Sequence, residues 1–293
     1  MIEEIKDRRV LFAALNWGMG HVSRSIPLLG KLQEQGNEIF LCCDETQRKV
    51  FEEYLCDVTY IHHNGYPFSH SGKGNFAFDL WKSRQALFVF LQKEREWVRL
   101  QTSLNNIDLV LSDHRYGFVS DTVESIFITH QLNLPIPMWQ KPVQWLHNHY
   151  ISRFTKVWVM DDPRIKLSGK LGRIRNSSKQ EYIGLWSRFS DTQQNGSKEG
   201  AFGLINGPEV YANQMKSKLE ALGIQIIQGD NWQELDKTLL NVREIHCRGG
   251  YSTRMDAYYL GSIIVAYPTP GQGEQEYLNV WNKKNPLTNR SED

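Results

Sequence analysis

Short apolar runs alternate with amphipathic segments along most of the chain. The first example begins with an apolar run at Arg9–Ala14, which a glycine-rich turn follows. A helical pattern with Leu28, Leu29 and Leu32 on one face comes next, and a second apolar run occupies Glu38–Cys43. This order is typical of a βαβ unit with parallel strands. Because the same order recurs downstream, the pattern predicts an α/β protein.

The later parts of the chain repeat this alternation. Further strands are predicted at Asp57–His62, Ile107–Ser112, Ser125–Thr129, Lys156–Met160, Ala201–Asn206, Ile224–Gln228, Arg243–Cys247 and Ile263–Tyr267. Helical patterns separate them, the longest at Phe76–Leu104. A chain of 293 residues is long enough for two domains with separate cores. The basic, glycine-containing segment that follows residue 160 marks the predicted junction, which gives domains 1–160 and 161–293.

A pair of glycines lies between a predicted strand and a predicted helix near the C-terminus. Gly249 and Gly250 follow the apolar run that ends at Cys247, and Ser252 and Thr253 are predicted to cap the helix that they begin. Glycines let backbone amides approach a ligand closely, and a helix N-terminus favours a negative charge. The pattern therefore predicts a phosphate site, with a plain strand–helix corner as the alternative.

Polar side chains that suit a nucleotide-sugar surround this corner. Asp256 lies one turn into the helix, where its carboxylate could reach ribose hydroxyls beside a phosphate. Gln272, Glu274 and Gln275 follow the next strand and offer groups that hydrogen-bond to sugar hydroxyls. These residues together favour a ligand site over a structural turn.

The stretch Ile245–Asn279 resembles the C-terminal half of GT-B glycosyltransferases of family 28, the family of the peptidoglycan N-acetylglucosaminyl transferase. It looks most like an uncharacterised bacterial branch, and the resemblance extends over residues 9–280. It implies two Rossmann-like domains facing across a cleft. It also implies inverting transfer of a sugar from a nucleotide-sugar, UDP-linked in the first instance, to an acceptor hydroxyl, with no metal and no cofactor.

The resemblance also implies roles for individual residues. The implied diphosphate loop consists of Arg248, Gly249, Gly250, Tyr251, Ser252 and Thr253. Asp256 stands where the family has its ribose-binding acid, although better-known members carry Glu there. Gln275 and Asn279 match positions that touch the transferred sugar, and Gly207 and Glu209 match a turn beside the donor. Gly18 and Gly20, in the first turn, match the side that faces the acceptor.

Transfer to a hydroxyl needs a base near the anomeric carbon, and the sequence offers three candidates. His21 ends the first glycine-rich turn, and histidine titrates near neutral pH. Asp113 ends a predicted strand and could act as the base, orient His21 or cap the next helix. His130 is a third candidate, and Arg115 accompanies it on the acceptor side. In the same turn Ser23 replaces the third glycine of a dinucleotide fingerprint, which disfavours an NAD site.

Composition narrows the classes of partner. A net charge of +1 argues against nucleic-acid binding, and the four cysteines show no metal or disulfide spacing. The adjacent His62 and His63 have no supporting third ligand. We expect a cytoplasmic protein. Peripheral contact with the inner face of the membrane through the aromatic segment Trp81–Trp97 is the alternative to its packing in the core. Sugar, lipid-linked and small-molecule acceptors all stay open.

Two other functions compete with sugar transfer. GT-B architecture also serves epimerases or hydrolases that act on a nucleotide-sugar without a second acceptor. A protein that binds a nucleotide-sugar and does not turn it over is the other alternative.

Overall fold

The computed structural model describes residues 2–68, 76–137, 140–175, 178–192, 198–205, 207, 209–227 and 231–286. The main division of the chain falls between Trp186 and Ser187, and it separates two compact units. Each unit is built around a parallel β-sheet of its own. The predicted α/β class with two Rossmann-like domains is therefore confirmed.

The first unit contains seven strands and, among its described residues, four α-helices. The strands are β1 (Arg9–Ala14), β2 (Glu38–Cys43), β3 (Thr59–His62), β4 (Leu109–Asp113), β5 (Glu124–Thr129), β6 (Lys156–Val159) and β7 (Gln180–Tyr182). The helices are α1 (Gly20–Glu34), α2 (Glu45–Tyr54), α3 (Phe76–Leu104) and α4 (Lys141–Ile151). No described helix is long and apolar enough to cross a bilayer.

The order of the first sheet creates a crevice between two of its strands. The strands lie in the order β3-β2-β1-β4-β5-β6-β7, so the chain builds outward from β1 in one direction and then resumes on its other side at β4. Ala14 lies opposite Asp113 in the β1–β4 register. Loops that leave the carboxyl ends of such a pair diverge to opposite faces of the sheet, and ligands bind where they separate.

The core of the first unit lies on both faces of β1 and β4. Leu11 and Val110 pack with Phe40, Val98 and Phe118 in one buried cluster. Strands that are covered on both faces carry continuous rather than alternating apolar residues. This explains why β1 and β2 could be predicted at their observed boundaries.

The second unit contains four strands and, among its described residues, four helices. The strands are β8 (Glu199–Leu204), β9 (Gln225–Ile227), β10 (Val242–Cys247) and β11 (Ile263–Ala266). The helices are α5 (Glu209–Ala221), α6 (Trp232–Leu239), α7 (Tyr251–Leu260) and α8 (Gly273–Lys284). The sheet order is β11-β10-β8-β9, so the order reverses between β8 and β10. The turn after β10, with its glycine pair, lies at this second switch point.

Two observations here differ from the sequence-based expectations. The first unit extends to Trp186 rather than ending at residue 160, because the short strand β7 pairs with β6. Helix α6 was not predicted, although Leu235 and Leu239 lie at helical spacing and pack on the core of the second unit. Its N-cap is Asn231, whose side chain accepts a hydrogen bond from the Glu234 amide at 3.0 Å.

The predicted capping of α7 by Ser252 and Thr253 is wrong. The helix begins at Tyr251, with Gly250 as its N-cap, and no side chain caps its first turn. Ser252 and Thr253 therefore lie inside that turn. The predicted end of the helix is correct, since Gly261 adopts the left-handed conformation at φ 65°.

Candidate functional site

A buried arginine joins the candidate catalytic residues of the first unit. Arg24 lies on α1, one turn after His21, and its guanidinium faces the carboxylate of Asp113 at the end of β4. Arg24 Nε donates to Asp113 Oδ2 at 2.8 Å, and Nη2 donates to Asp113 Oδ1. The two charges thus form a bidentate ion pair in which both side chains are almost fully buried.

Two histidines complete this cluster. The Nδ1 atom of His21 lies 2.9 Å from Arg24 Nη2 and 3.2 Å from Asp113 Oδ1. The Nδ1 atom of His130 lies 2.7 Å from Arg24 Nη1. His21 is 17% exposed and Asp113 is buried, so His21 is the candidate base that a substrate can reach. Asp113 instead occupies the orienting position that the sequence offered as its second role.

The electrostatics of the cluster favour a neutral His21 beside a charged Asp113. Burial lowers the pKa of His21, and the positive charge of Arg24 lowers it further, against the opposing effect of Asp113. Burial alone would raise the pKa of Asp113, but Arg24 and His21 hold that pKa well below its usual range. A neutral imidazole can accept a proton at neutral pH, whereas an ion-paired, buried carboxylate is poorly placed to do so.

His114 fills the space between the other two histidines. Its ring centroid lies 5.3 Å from that of His21 and 5.4 Å from that of His130. Its Nε2 atom lies 2.6 Å from the hydroxyl of Thr129, and its backbone is left-handed at φ 60°. A non-glycine residue seldom adopts this conformation, and such residues concentrate at functional sites.

The environment of Arg115 differs from the one expected for a residue that faces the acceptor. It is completely buried, and its Nε donates to Glu94 Oε1 of α3 at 2.6 Å. Its Nη2 donates to the carbonyl of Asn64 at 2.8 Å, and Glu94 Oε1 also lies 3.1 Å from His63 Nε2. Arg115 therefore fastens the turn after β3 to α3, and it can influence an acceptor only through that turn.

The turns after β1 and β3 are joined directly. The Tyr66 amide donates to Asn16 Oδ1 at 3.0 Å. A Cβ atom at Gly65 would lie only 1.7 Å from Asn16 Nδ2, so only glycine fits against that side chain. Gly18 in the first of these turns has φ 148°, and Gly20 begins α1. Both glycines thus shape the turn that presents His21.

The glycine pair of the second unit forms an open corner at the start of α7. Gly249 has φ 71°, and a Cβ atom there would lie 2.8 Å from both Ala266 Cβ and Arg254 Nη2. Gly250 has φ −66°, and a Cβ atom there would meet nothing within 4 Å. The corner is therefore closed behind Gly249 and open in front of Gly250, where the first-turn amides of α7 lie.

Two arginines are buried at this corner without a carboxylate partner among the described residues. Arg254 Nε donates to the carbonyl of Gly249 at 2.8 Å, and Arg248 Nη1 donates to the carbonyl of Tyr267 at 3.2 Å. Within the described part of the chain, Arg254 Nη2 and Arg248 Nε are buried without any hydrogen-bond partner. Burial lowers the pKa of each guanidinium, yet both stay charged near neutral pH.

Asp256 is engaged in a network within its own domain. Its Oδ1 accepts a hydrogen bond from the Ser187 hydroxyl at 2.6 Å, and its Oδ2 accepts one from Arg188 Nη1 at 2.7 Å. Arg188 Nε also donates to Asp236 Oδ1 at 2.7 Å. The network joins the first residues of the domain to α6 and α7. The ribose contact of Asp256 stays a prediction, and any such contact would share the carboxylate with these partners.

The loop between β11 and α8 is also organised by predicted donor residues. Gln275 Oε1 accepts a hydrogen bond from the Thr269 amide at 2.7 Å, which leaves its amide nitrogen for other partners. Gln272 is the N-cap of α8, and its side chain makes no capping bond. Glu274 raises the pKa of Arg254 through its charge, so the two loops are close. Asn279 lies on the same helix and is half-buried.

A cavity of about 360 Å³ lies beside this corner. It is lined by Gln214, Met215, Lys218, Arg248, Ala266, Tyr267, Pro268 and Pro270. Lys218 and Arg248 place two positive charges at the cavity wall. Lys218 Nζ lies 4.7 Å from the centre of the Tyr267 ring. Gly207 is left-handed at φ 93° at the start of α5, and the side chain of Glu209 lies outside the described residues.

The paired glycines make a testable contrast. Gly249→Ala should destabilise the protein by roughly 2 kcal/mol or more, because it places a side chain in a left-handed, crowded position. Gly250→Ser should leave stability unchanged or higher, because serine can cap the open first turn of α7. The same serine should weaken binding of uridine diphosphate, since its hydroxyl competes for the amides.

Thermal unfolding and isothermal titration calorimetry check both halves of this contrast. Equal stability losses in the two variants would show that the corner is closed on both sides. Undiminished affinity in Gly250→Ser would show that the amides do not contact the ligand.

The paired histidines do not belong to a metal cluster within the described residues. Among the described residues, no group of three His, Cys, Asp or Glu side chains is arranged to hold a metal ion. His62 is exposed, whereas His63 stacks on Trp97 with ring centroids 4.2 Å apart. The cysteines at 42, 43, 56 and 247 are all free thiols.

Sequence reasoning missed two residues of these sites. Arg24 and Arg254 were not assigned roles, although each lies one turn after a glycine-rich start of a helix. A cation in the first turn of a helix opposes the helix dipole. Such a residue therefore needs an anion nearby, and this signal could have identified both.

Comparison with known proteins gives a fold. No family model and no curated protein matches the sequence. The glycotransferase of kitacinnamycin is similar with a TM-score of 0.60 at 11% identity, over 94% of this chain and 84% of that chain. For Arabidopsis thaliana UGT89C1 the TM-score is 0.61 at 13% identity, over 96% and 84% of the two chains.

A third similar structure contains a nucleotide. The glycosyltransferase SsfS6 of Streptomyces sp. SF2575, in complex with thymidine diphosphate, has a TM-score of 0.59 at 13% identity, over 94% of this chain and 86% of that chain. UGT89C1 and SsfS6 are of the family 1 type, so membership of family 28 stays a prediction. What the comparison shows is that this chain has the GT-B fold of glycosyltransferases.

Proposed function

We propose that this protein transfers a sugar from a nucleotide-sugar to an acceptor hydroxyl, with inversion at the anomeric carbon. The observation that carries the proposal is the pair of buried arginines, Arg248 and Arg254, which form no ion pair within the described residues and which each keep one nitrogen without a hydrogen-bond partner there. A buried charge without a partner is costly, so such charges are retained where a ligand supplies the opposite charge. A diphosphate at the open N-terminus of α7 supplies it.

The donor occupies the second unit in this proposal. Its diphosphate accepts hydrogen bonds from the first-turn amides of α7 and from the arginine nitrogens at the corner. Gln272, Gln275 and Asn279 contact the transferred sugar from α8. Two guanidinium groups and a helix N-terminus together provide the positive charge for the leaving diphosphate, so the reaction requires no metal.

His21 is the general base. Its accessible ring removes the proton of the acceptor hydroxyl, while the oxygen attacks the anomeric carbon from the face opposite the diphosphate. The new C–O bond forms as the bond to the diphosphate breaks, and the diphosphate leaves with the electron pair. Asp113 stabilises the imidazolium that forms, because its Oδ1 lies 3.2 Å from His21 Nδ1. A single displacement of this kind inverts the configuration.

Small-molecule acceptors and uridine or thymidine diphosphate donors are the first to examine. UGT89C1 has been solved with UDP-L-rhamnose and with quercetin, at TM-scores of 0.57 and 0.55 to this chain. SsfS6 has been solved with thymidine diphosphate. We extend these ligand classes to the present chain as part of the proposal.

Calorimetric titration with uridine and thymidine diphosphate tests the donor half. We expect binding of at least one at micromolar to low millimolar affinity, and no binding of either at millimolar concentration would remove the donor claim. Product analysis with the matching nucleotide-sugar then separates the alternatives. Turnover without an acceptor indicates an epimerase or hydrolase, and binding without turnover on an acceptor panel indicates a non-catalytic protein.

A further inference from the structure

Arg24 contacts His21 and two further titratable groups beside it, Asp113 and His130. Its Nε and Nη2 donate to the Asp113 carboxylate, Nη2 also lies beside one ring nitrogen of His21, and Nη1 lies beside one ring nitrogen of His130. The four groups come from α1, from the end of β4 and from the segment after β5. Arg24 is thus the central member of a buried cluster, rather than a surface residue of its helix.

The direction of the hydrogen bonds follows from the chemistry of the guanidinium. An arginine N–H can only donate, so a ring nitrogen that bonds to it must be unprotonated. Nδ1 of His130 accepts in this way at 2.7 Å. Nδ1 of His21 has two partners within reach, because it can accept from Arg24 at 2.9 Å or, when protonated, donate to Asp113 at 3.2 Å. Nδ1 of neutral His21 therefore has a hydrogen-bond partner whether or not it carries the proton.

Charge balance decides which form the cluster adopts. A buried carboxylate beside a histidine, with no other cation present, favours the imidazolium, and an imidazolium cannot take a proton from an acceptor. Arg24 already neutralises Asp113, and its own charge opposes a second cation close by. His130 and His114 add no negative charge to the cluster.

From this geometry we propose that Arg24 is a positioning residue that acts as the counter-ion of Asp113 and so keeps His21 unprotonated and available as the base. The inference rests on the proposed transferase function only for its catalytic consequence. The effect on His21 protonation is a property of the cluster itself.

The test is an NMR titration of the histidine rings in the full-length protein, which needs neither donor nor acceptor. The His21 signal is assigned by its loss in His21→Gln. In the wild type we expect a midpoint below the ordinary histidine value, in agreement with the lowered pKa of His21. Arg24→Met should raise this midpoint by about one pH unit or more, because Asp113 then pairs with the imidazolium.

Two further variants separate charge from packing. Arg24→Lys keeps the charge, and its midpoint should stay near that of the wild type. If Arg24→Met does not fold, Arg24→Met/Asp113→Asn removes both charges of the pair, and its midpoint is compared with that of Asp113→Asn alone. The His21 midpoint should lie at a higher pH in the double variant than in Asp113→Asn. An unchanged His21 midpoint on loss of the Arg24 charge would overturn the inference.

The kinetic readout follows once a donor and an acceptor are known. The acidic limb of kcat/KM should move in Arg24→Met by the same amount and in the same direction as the NMR midpoint. A role limited to packing would lower activity at all pH values and leave that limb in place. If no turnover is found, the proposed function fails while the titration result stands.

Discussion

Replacing His21 with alanine is expected to lower kcat by roughly 10²- to 10⁴-fold, the range attributed to a general base. Binding of the nucleoside diphosphate should be unchanged, because the corner proposed to bind it belongs to the other unit. The loss of kcat is expected because His21, among the histidines of its cluster, combines solvent exposure with a ring nitrogen close to Asp113. Steady-state kinetics and calorimetric titration of the same preparation measure both quantities.

A matched control comes from the surface of the first unit. His149 lies exposed on α4 beside Trp145, and His149→Ala should retain wild-type kinetics. The pH profile adds a further check. Since burial and the charge of Arg24 lower the pKa of His21, activity should persist through neutral pH and fall only at a pH below the ordinary titration range of histidine, where the ring gains its proton. Equal kcat values for His21→Ala and the wild type would exclude His21 as the base.

Arg254→Met should weaken diphosphate binding by roughly ten- to a hundredfold, the equivalent of one strong hydrogen bond to a charged group. The same change should leave the unliganded protein as stable as the wild type or more stable. The physical reason is that Arg254 is a buried cation that forms no ion pair among the described residues, and an apolar side chain of similar length removes its desolvation cost. Opposite effects on binding and stability are the signature of a ligand site.

Arg188 provides the control in the same domain. It is equally buried but pairs with Asp236 and Asp256, so Arg188→Met leaves two carboxylates without their cation. We expect it to lose about 3 kcal/mol of unfolding free energy. Thermal or chemical unfolding, with and without uridine diphosphate, compares the two variants. If Arg254→Met is as destabilised as Arg188→Met, Arg254 serves the fold and the donor assignment loses its main support.

The fold could be predicted from sequence because its strands are buried on both faces. β1 and β2 carry uninterrupted apolar runs between turns, and their predicted boundaries are the observed ones. The short strand β7 and the polar helix α6 lack such a signal. β7 belongs to the sheet only because β6 offers it an edge, and a pairing between distant segments leaves no local pattern.

The candidate sites could be predicted only in part. Glycine-rich turns after apolar runs identified the helices that present His21 and Gly250, because local sequence determines such turns. The partners of the side chains could not be predicted. Asp113 and Arg24 are far apart in sequence, and so are Asp256 and Arg188. Only the tertiary fold brings these charges together, so roles that depend on them could not be predicted from the sequence.

The close contact between Asn16 and Gly65 limits which positions of this protein can be varied. The turns after β1 and β3 share a hydrogen bond and leave no volume for a side chain at position 65. Mutant libraries that aim to broaden acceptor choice should therefore hold both positions constant. Diversity belongs instead at exposed positions of α3 such as Phe88, where a change of size meets solvent.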